Sequence, residues 1–230
     1  MKRIILLMIA VLMMSLSLYS QVARFTRLTL EQLTNLANPR RLSHRIFYRE
    51  KSKGPNAKWF DAVKEGNLEE IKKMVEAGQD IEVQDTASLK QTALGWAAFI
   101  GYLDVVQYLV SKGANLYAGD TADVTSAFKS AILGGNIQVI EYLYPLYNGR
   151  LNLNEQDKRD GETMLMVAAG NSREDAVKFL LSKNVDVNIV SRQLNKSAYT
   201  YACESKNQNI ISMIKAAGGT NVRTGKASCN

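Results

Sequence analysis

The chain has 230 residues, of which 46% are hydrophobic and three are proline. That composition excludes global disorder and argues against a loop-rich β-sandwich. Its formal net charge of +7 would suit nucleic acid, but the charge sits at one end. Nine lysines and arginines face only Glu31 and Glu50 between residues 21 and 58, while residues 59–230 sum to −2. The excess therefore belongs to an arm. No aromatic-rich groove or DNA-binding motif accompanies it, and nucleic acid is set aside as a partner. The arm reads as a solvated leader, or as a segment drawn to an anionic membrane surface or an acidic partner.

The first element is MKRIILLMIAVLMMSLSLYSQ, in which Lys2 and Arg3 precede an apolar run from Ile4 to Leu18. The run is shorter than the roughly twenty residues that span a bilayer. It ends in small and polar residues, with Ser20 a cleavage point before Gln21. This is the pattern of a signal peptide over residues 1–20, or of a membrane anchor if it is retained. The expectation is export, with a bacterial periplasm as the destination. Export permits disulfides, and Cys203 and Cys229 read either as a bridge or as unpaired thiols, Cys203 then buried.

Residues 21–56 form the basic arm. Within it Thr29-Leu30-Glu31-Gln32 is a capping box that predicts a short helix to about Leu36. The stretch from Asn38 to Asn56 has little periodicity. It is expected to lie on the element that follows, because Ile46, Phe47 and Tyr48 need cover.

From residue 57 the chain repeats itself. AKWFDAVKEGNLEEIKKM (57–74), TALGWAAFIGYLDVVQYL (92–109), SAFKSAILGGNIQVIEYL (126–143), TMLMVAAGNSREDAVKFL (163–180) and SAYTYACESKNQNIISMI (197–214) share one frame, at intervals of 35, 34, 37 and 34 residues. Each copy predicts a short helix with a small residue five steps after its start: Ala62, Ala97, Ala131, Ala168 and Ala202. Small side chains there let neighbouring helices approach closely. A polar or Gly-containing turn follows, then a second helix with apolar residues at i, i+3, i+4 spacing, such as Leu103, Val106, Leu109 and Val110. That helix should stop at Gly78, Gly113 or Asn184, where a left-handed residue is inexpensive. The array runs to about residue 220, and residues 221–230 read as a flexible tail.

These residues resemble the ankyrin repeat. Its T-P-L-H-x-A-A core appears as Thr92-Ala93-Leu94-Gly95-Trp96-Ala97-Ala98 and as Thr163-Met164-Leu165-Met166-Val167-Ala168-Ala169. Its G-A-D-V-N close appears as Gly113-Ala114-Asn115-Leu116 and, less closely, at 184–188. The resemblance implies an all-α ankyrin-repeat solenoid of about five helix-turn-helix repeats joined by hairpin-like loops. Two departures stand out. The family's Pro is absent, and its His, which bonds to neighbouring backbone, is replaced by Gly95, Lys129, Met166 and Thr200. Hairpin links less rigid than the family's are therefore expected. Three extra residues fall around Tyr144–Gly149, where Pro145 should end or kink a helix.

Catalytic chemistry finds no support in the sequence. The one histidine, His44, lies in the arm with no nucleophile placed beside it. No His or Cys spacing suits zinc or copper. Gly134-Gly135 lacks the strand and lysine of a phosphate loop. Asp85, Asp120, Asp123, Asp157 and Asp160 fall in turns of different repeats without the ligand spacing of a calcium loop. No enzymatic activity, cofactor or metal is expected.

By the resemblance, the two residues before each turn project into a concave groove. They are Lys64 and Glu65, Phe99 and Ile100, Leu133 and Gly134, Gly170 and Asn171, then Glu204 and Ser205. The expectation is an apolar patch of Phe99, Ile100 and Leu133, open to a partner or covered by the arm; a frame one residue off would instead bury these side chains between helices. Leu89, Lys90, Asp120, Asp123, Arg159 and Asp160, at the hairpin tips, form its rim. Trp96 is assigned to the core. The functional expectation is an exported, monomeric, non-enzymatic module that binds another protein. The resemblance extends to immunity proteins that block a secreted phospholipase toxin in the periplasm. The alternatives are a membrane-surface adaptor held by its basic arm and a protective partner of a periplasmic redox enzyme.

Overall fold

A computed structural model describes residues 27–38, 42, 45–122 and 124–229. The expected export signal, His44 and Asp123 lie outside the described residues. The chain divides into two compact units, one to Gln79 and one from Asp80 onward.

In the first unit, α1 (Leu30–Ala37) starts at the Thr29 capping box. The Thr29 hydroxyl accepts from the Gln32 N–H, and the Gln32 side chain accepts from the Thr29 N–H. Helices α2 (Ala57–Glu65) and α3 (Leu68–Glu76) form the first repeat, parted by Gly66 at φ 70°. Their contact buries Trp59, Phe60, Val63 and Ile71. The arm packs within this unit. Leu42, Phe47 and Tyr48 are buried, the Ser52 N–H donates to the Asp61 carboxylate at 2.8 Å, and Lys64 Nζ donates to Ser52 Oγ at 3.0 Å. Lys64, expected to face a groove, is therefore buried under the arm.

The second unit holds four helix pairs: α4 (Ala93–Ile100) with α5 (Leu103–Ser111), α6 (Ala127–Gly134) with α7 (Ile137–Leu143), α8 (Met164–Gly170) with α9 (Glu174–Ser182), and α10 (Ala198–Ser205) with α11 (Gln208–Ala216). One device starts the first helix of every pair. Thr92, Ser126, Thr163 and Ser197 hold extended backbone, and each hydroxyl accepts the N–H three residues on. This cap stands where the ankyrin pattern would place Thr-Pro. The first helices stack in the order α4, α6, α8, α10, and the second helices stack behind them as α5, α7, α9, α11. The core lies between these two layers. The unit is an all-α solenoid. Its only paired strands among the described residues are β1 (Gln84–Asp85) and β2 (Gln91–Thr92), antiparallel with Gln84 opposite Thr92.

Pro145 ends α7 as expected. The chain passes into a 3-10 turn at Tyr144–Tyr147 and leaves it at Asn148, which is left-handed. Tyr147 anchors this insertion. Its hydroxyl donates to the Leu116 carbonyl at 2.6 Å and accepts the Phe128 N–H at 3.2 Å. Burial pushes the phenol up to about 12.

Candidate interaction surface

The expected apolar patch is not at the surface. Phe99, Ile100 and Leu133 are 1%, 5% and 1% exposed. Part of the cause lies in α4 itself, whose sequence ALGWAAFI offers no polar side chain to any face; a helix apolar all round is a buried helix. Neighbouring helices close the rest. A Cβ added to Gly134 would lie 2.0 Å from the Phe99 carbonyl oxygen, so α4 and α6 meet at backbone distance. The Phe99 ring packs edge-on against Trp96, with centroids 6.1 Å apart. Arg173 crosses the end of α6, its Nε donating to the Leu133 carbonyl at 2.8 Å, and burial lowers its guanidinium pKa to about 10. Gly170 and Asn171 are buried as well. Trp96 is a core residue whose Nε1 donates to Asp85 at 3.2 Å.

The hairpin links, expected to be less rigid without the family's His, each have a substitute tether. At Gly95 the space of a side chain is filled by Gln91, whose Oε1 lies 2.0 Å from where a Cβ would be. Gln91 Nε2 reaches Ser130 Oγ, 3.2 Å away in the next repeat. Lys129 crosses to Asp157 at 3.0 Å, both side chains fully buried. Asp157 Oδ1 accepts the N–H groups of Arg159, Asp160 and Gly161, and Oδ2 accepts that of Glu162. Burial alone would raise this carboxyl, but Lys129 and the backbone donors outweigh it and hold the group below the usual carboxylate range. The sulfur of Met166 accepts the Thr163 N–H, and the Thr200 hydroxyl accepts that of Val222. Asp157 is thus the organiser of a hairpin as well as a turn residue.

The tips of these hairpins form the exposed edge of the unit. Leu89 and Lys90 sit in left-handed backbone at φ 57° and 56°. Lys90 is exposed, and the Leu89 carbonyl accepts both the N–H and the hydroxyl of Thr121, at 2.8 and 2.9 Å. Asp120 closes its own turn by accepting the N–H groups of Ala122 and Val124. Arg159 is exposed beside Asp160, with 3.7 Å between Nε and Oδ2. The Asp160 carbonyl accepts the Gln193 N–H. Gln156 Nε2 donates to the Gly161 and Val190 carbonyls, while its Oε1 accepts from Arg192 Nε at 3.2 Å. Behind the tips, Asn115 N–H donates to Glu82, Asp186 N–H to Asn154, and Thr220 N–H to Asn188.

The structure therefore joins Leu89 to the 121 loop and Asp160 to the 190s loop, and it leaves Phe99, Ile100 and Leu133 out of the surface altogether. Sequence reasoning missed Gln91, Thr121, Gln156, Arg192 and Gln193. Gly95 gave the one usable signal, since a glycine in the slot of a bridging side chain leaves room for a neighbour to supply the bridge. Among the described residues no group of three or more His, Cys, Asp or Glu side chains could hold a metal ion.

Comparison with known proteins agrees with the geometry. The family model for ankyrin repeats in three copies matches residues 59–157 and again residues 131–224. The chain is also similar to the ankyrin repeat and KH domain-containing protein mask-1 of Caenorhabditis elegans. The two are 26% identical over 164 residues, covering 59% of this chain and 6% of that protein.

Proposed function

The chain belongs to the ankyrin repeat family, whose members serve typically as interaction scaffolds, and we propose that it binds a partner protein along the hairpin edge of its second unit. The tip-to-tip bonding carries this reading. Leu89 with Thr121, and Asp160 with Gln193, hold exposed charged residues in fixed places. A surface ordered before binding loses less entropy on association than a mobile one. The edge offers both signs of charge, from Lys90, Arg159 and Asp160, with Val190 and Leu194 exposed on the last hairpin.

The test is a comparison of binding strengths. A partner recovered by affinity capture from the source cells is titrated against the wild type and against the double variant Lys90→Glu, Arg159→Glu. The edge reading expects a loss of about tenfold or more, which is about 1.4 kcal/mol, at unchanged melting temperature. Equal affinity for both proteins refutes it.

We propose further that the protein is exported. The apolar run after Lys2 and Arg3 supports this, as does the Cys203–Cys229 disulfide, a bond that persists in oxidising compartments. Neutralisation of a secreted phospholipase is the finer form of the proposal. With Phe99 and Leu133 buried, the apolar plug expected of them is gone, and in this reading inhibition runs through the charged edge. It should therefore weaken as salt rises, and inhibition of lipid hydrolysis measured across ionic strength checks it.

A further inference from the structure

A stacked array exposes the apolar face of its last repeat unless something covers it. Here residues 220–229, most of the stretch expected from the sequence to be a loose tail, lie against α10, the first helix of the last pair. Asn221 is buried, its N–H donating to the Lys226 carbonyl and its Nδ2 to the Ser228 carbonyl. The Val222 N–H donates to Thr200, and the Ser197 hydroxyl donates to the Thr220 carbonyl at 2.6 Å. The segment TNVRTGKASC has only Val222 and Ala227 as aliphatic side chains, so apolar burial holds it weakly. What ties it to the helices is the bridge from Cys229 to Cys203 on α10, across 26 positions of sequence.

Beside that bridge is a cavity of about 450 Å³, lined by both cysteines together with Leu194, Lys196, Glu204 and Arg223. Its polar groups are largely engaged within the chain. Lys196 pairs with Glu204 at 2.8 Å, Thr200 receives Val222, and Asn221 bonds to its own segment. The lining therefore lacks the convergent, unengaged groups of a ligand site. It does provide a way in to a half-buried disulfide, with Arg223, a cation that has no acidic partner among the described residues, on its wall.

We propose that Cys203–Cys229 is a reducible clasp and that residues 220–229 are a cover released by thiol–disulfide exchange with a dithiol. One thiolate of the dithiol attacks a protein sulfur, forms a mixed disulfide and expels the other cysteine as a thiolate, which takes a proton from solvent. The second thiol of the dithiol, once deprotonated, attacks the mixed disulfide. Both protein cysteines end as thiols, the dithiol ends as its disulfide, and two electrons pass to the protein. Positive charge from Arg223 favours the thiolates at each stage, while that of Lys196 is offset by Glu204. Leu194 and Lys196 share the cavity wall and belong to the last hairpin, so release also loosens the end of the edge. The inference does not depend on that edge being the binding surface, because its readouts concern the clasp alone.

The full chain is treated with dithiothreitol at neutral pH without denaturant, followed by alkylation mass spectrometry and amide hydrogen exchange. Both cysteines should become alkylated while the protein stays folded. Protection of the Asn221, Val222 and Gly225 amides should fall by about tenfold or more, with α8 unchanged. Arg223→Glu should slow the reduction by about threefold. Cys229→Ser should show the exchange pattern of the reduced protein whether or not dithiol is present. Reduction that needs denaturant, or amides at 221–225 that keep their protection once the bridge is gone, would make the disulfide a static staple and overturn the proposal.

Discussion

Lys129 puts an ammonium group inside a packed helix stack, which is tolerable only because Asp157 is there to meet it. The two partners are not equally dependent on each other. Without Lys129, the Asp157 carboxylate keeps four backbone N–H donors; without Asp157, the ammonium is stranded. Asp157→Ala should therefore cost about 3–5 kcal/mol and Lys129→Met about 1–3 kcal/mol, read from urea unfolding midpoints. The pair also sets an acid limit. Because the folded Asp157 pKa is depressed, its stabilisation is complete above the ordinary carboxylate range near pH 4 and is lost as pH falls through the folded value. Lys129→Met should flatten that acid slope. Tyr147 works at the other end. Its phenol is raised to about 12, so its contribution is complete below about pH 10 and is lost on the way to the folded value. Tyr147→Phe should lower stability at neutral pH and show less further loss in alkali. That Lys129 replaces the family's His was legible in the sequence. Where its amine goes was not, because the acid it meets lies 28 residues away across a packing contact no local pattern encodes.

At the scale of elements, starts and stops were the most legible features. A hydroxyl ahead of each first helix of the second unit and a glycine at most turns are local chemistry, and the helices follow them. The groove assignment failed for an equally physical reason. It took the orientation of Phe99 and Ile100 from their place in the repeat frame and passed over the all-apolar composition of their own helix, which requires burial. Gly134 and Gly95 separate two consequences of that close packing. At Gly134 a methyl would meet the backbone of α4, which has no room to give, and Gly134→Ala should cost about 1–3 kcal/mol. At Gly95 a methyl would meet the flexible end of Gln91. Displacing it forfeits the bonds to Ser130 and from the Thr92 N–H, about 1 kcal/mol each, against a helix-propensity gain of about 1 kcal/mol. Gly95→Ala should cost about 1 kcal/mol in thermal melting, less than Gly134→Ala, and a larger loss there would mean that Gln91 cannot turn aside.

For the molecule as a whole, repeat proteins couple nearest neighbours, so damage placed at one interface spreads by steps rather than all at once. Phe99→Asp makes the decisive comparison. Were Phe99 a contact residue, the variant would keep its fold and lose a partner. Its burial between Trp96 and the backbone contact of α4 with α6 predicts the opposite order of events. An unpaired carboxylate there should cost more than about 4 kcal/mol. Amide exchange should rise most in α4 and α6, less in α8, and least in α10 and α11, where the Cys203–Cys229 bridge holds the cover in place. Binding should fall only in proportion to the unfolded fraction. The Lys90→Glu, Arg159→Glu pair should separate from it cleanly, changing affinity without changing exchange. A Phe99→Asp protein with wild-type exchange and no affinity would return the partner to the face of the stacked first helices and remove the case for the edge.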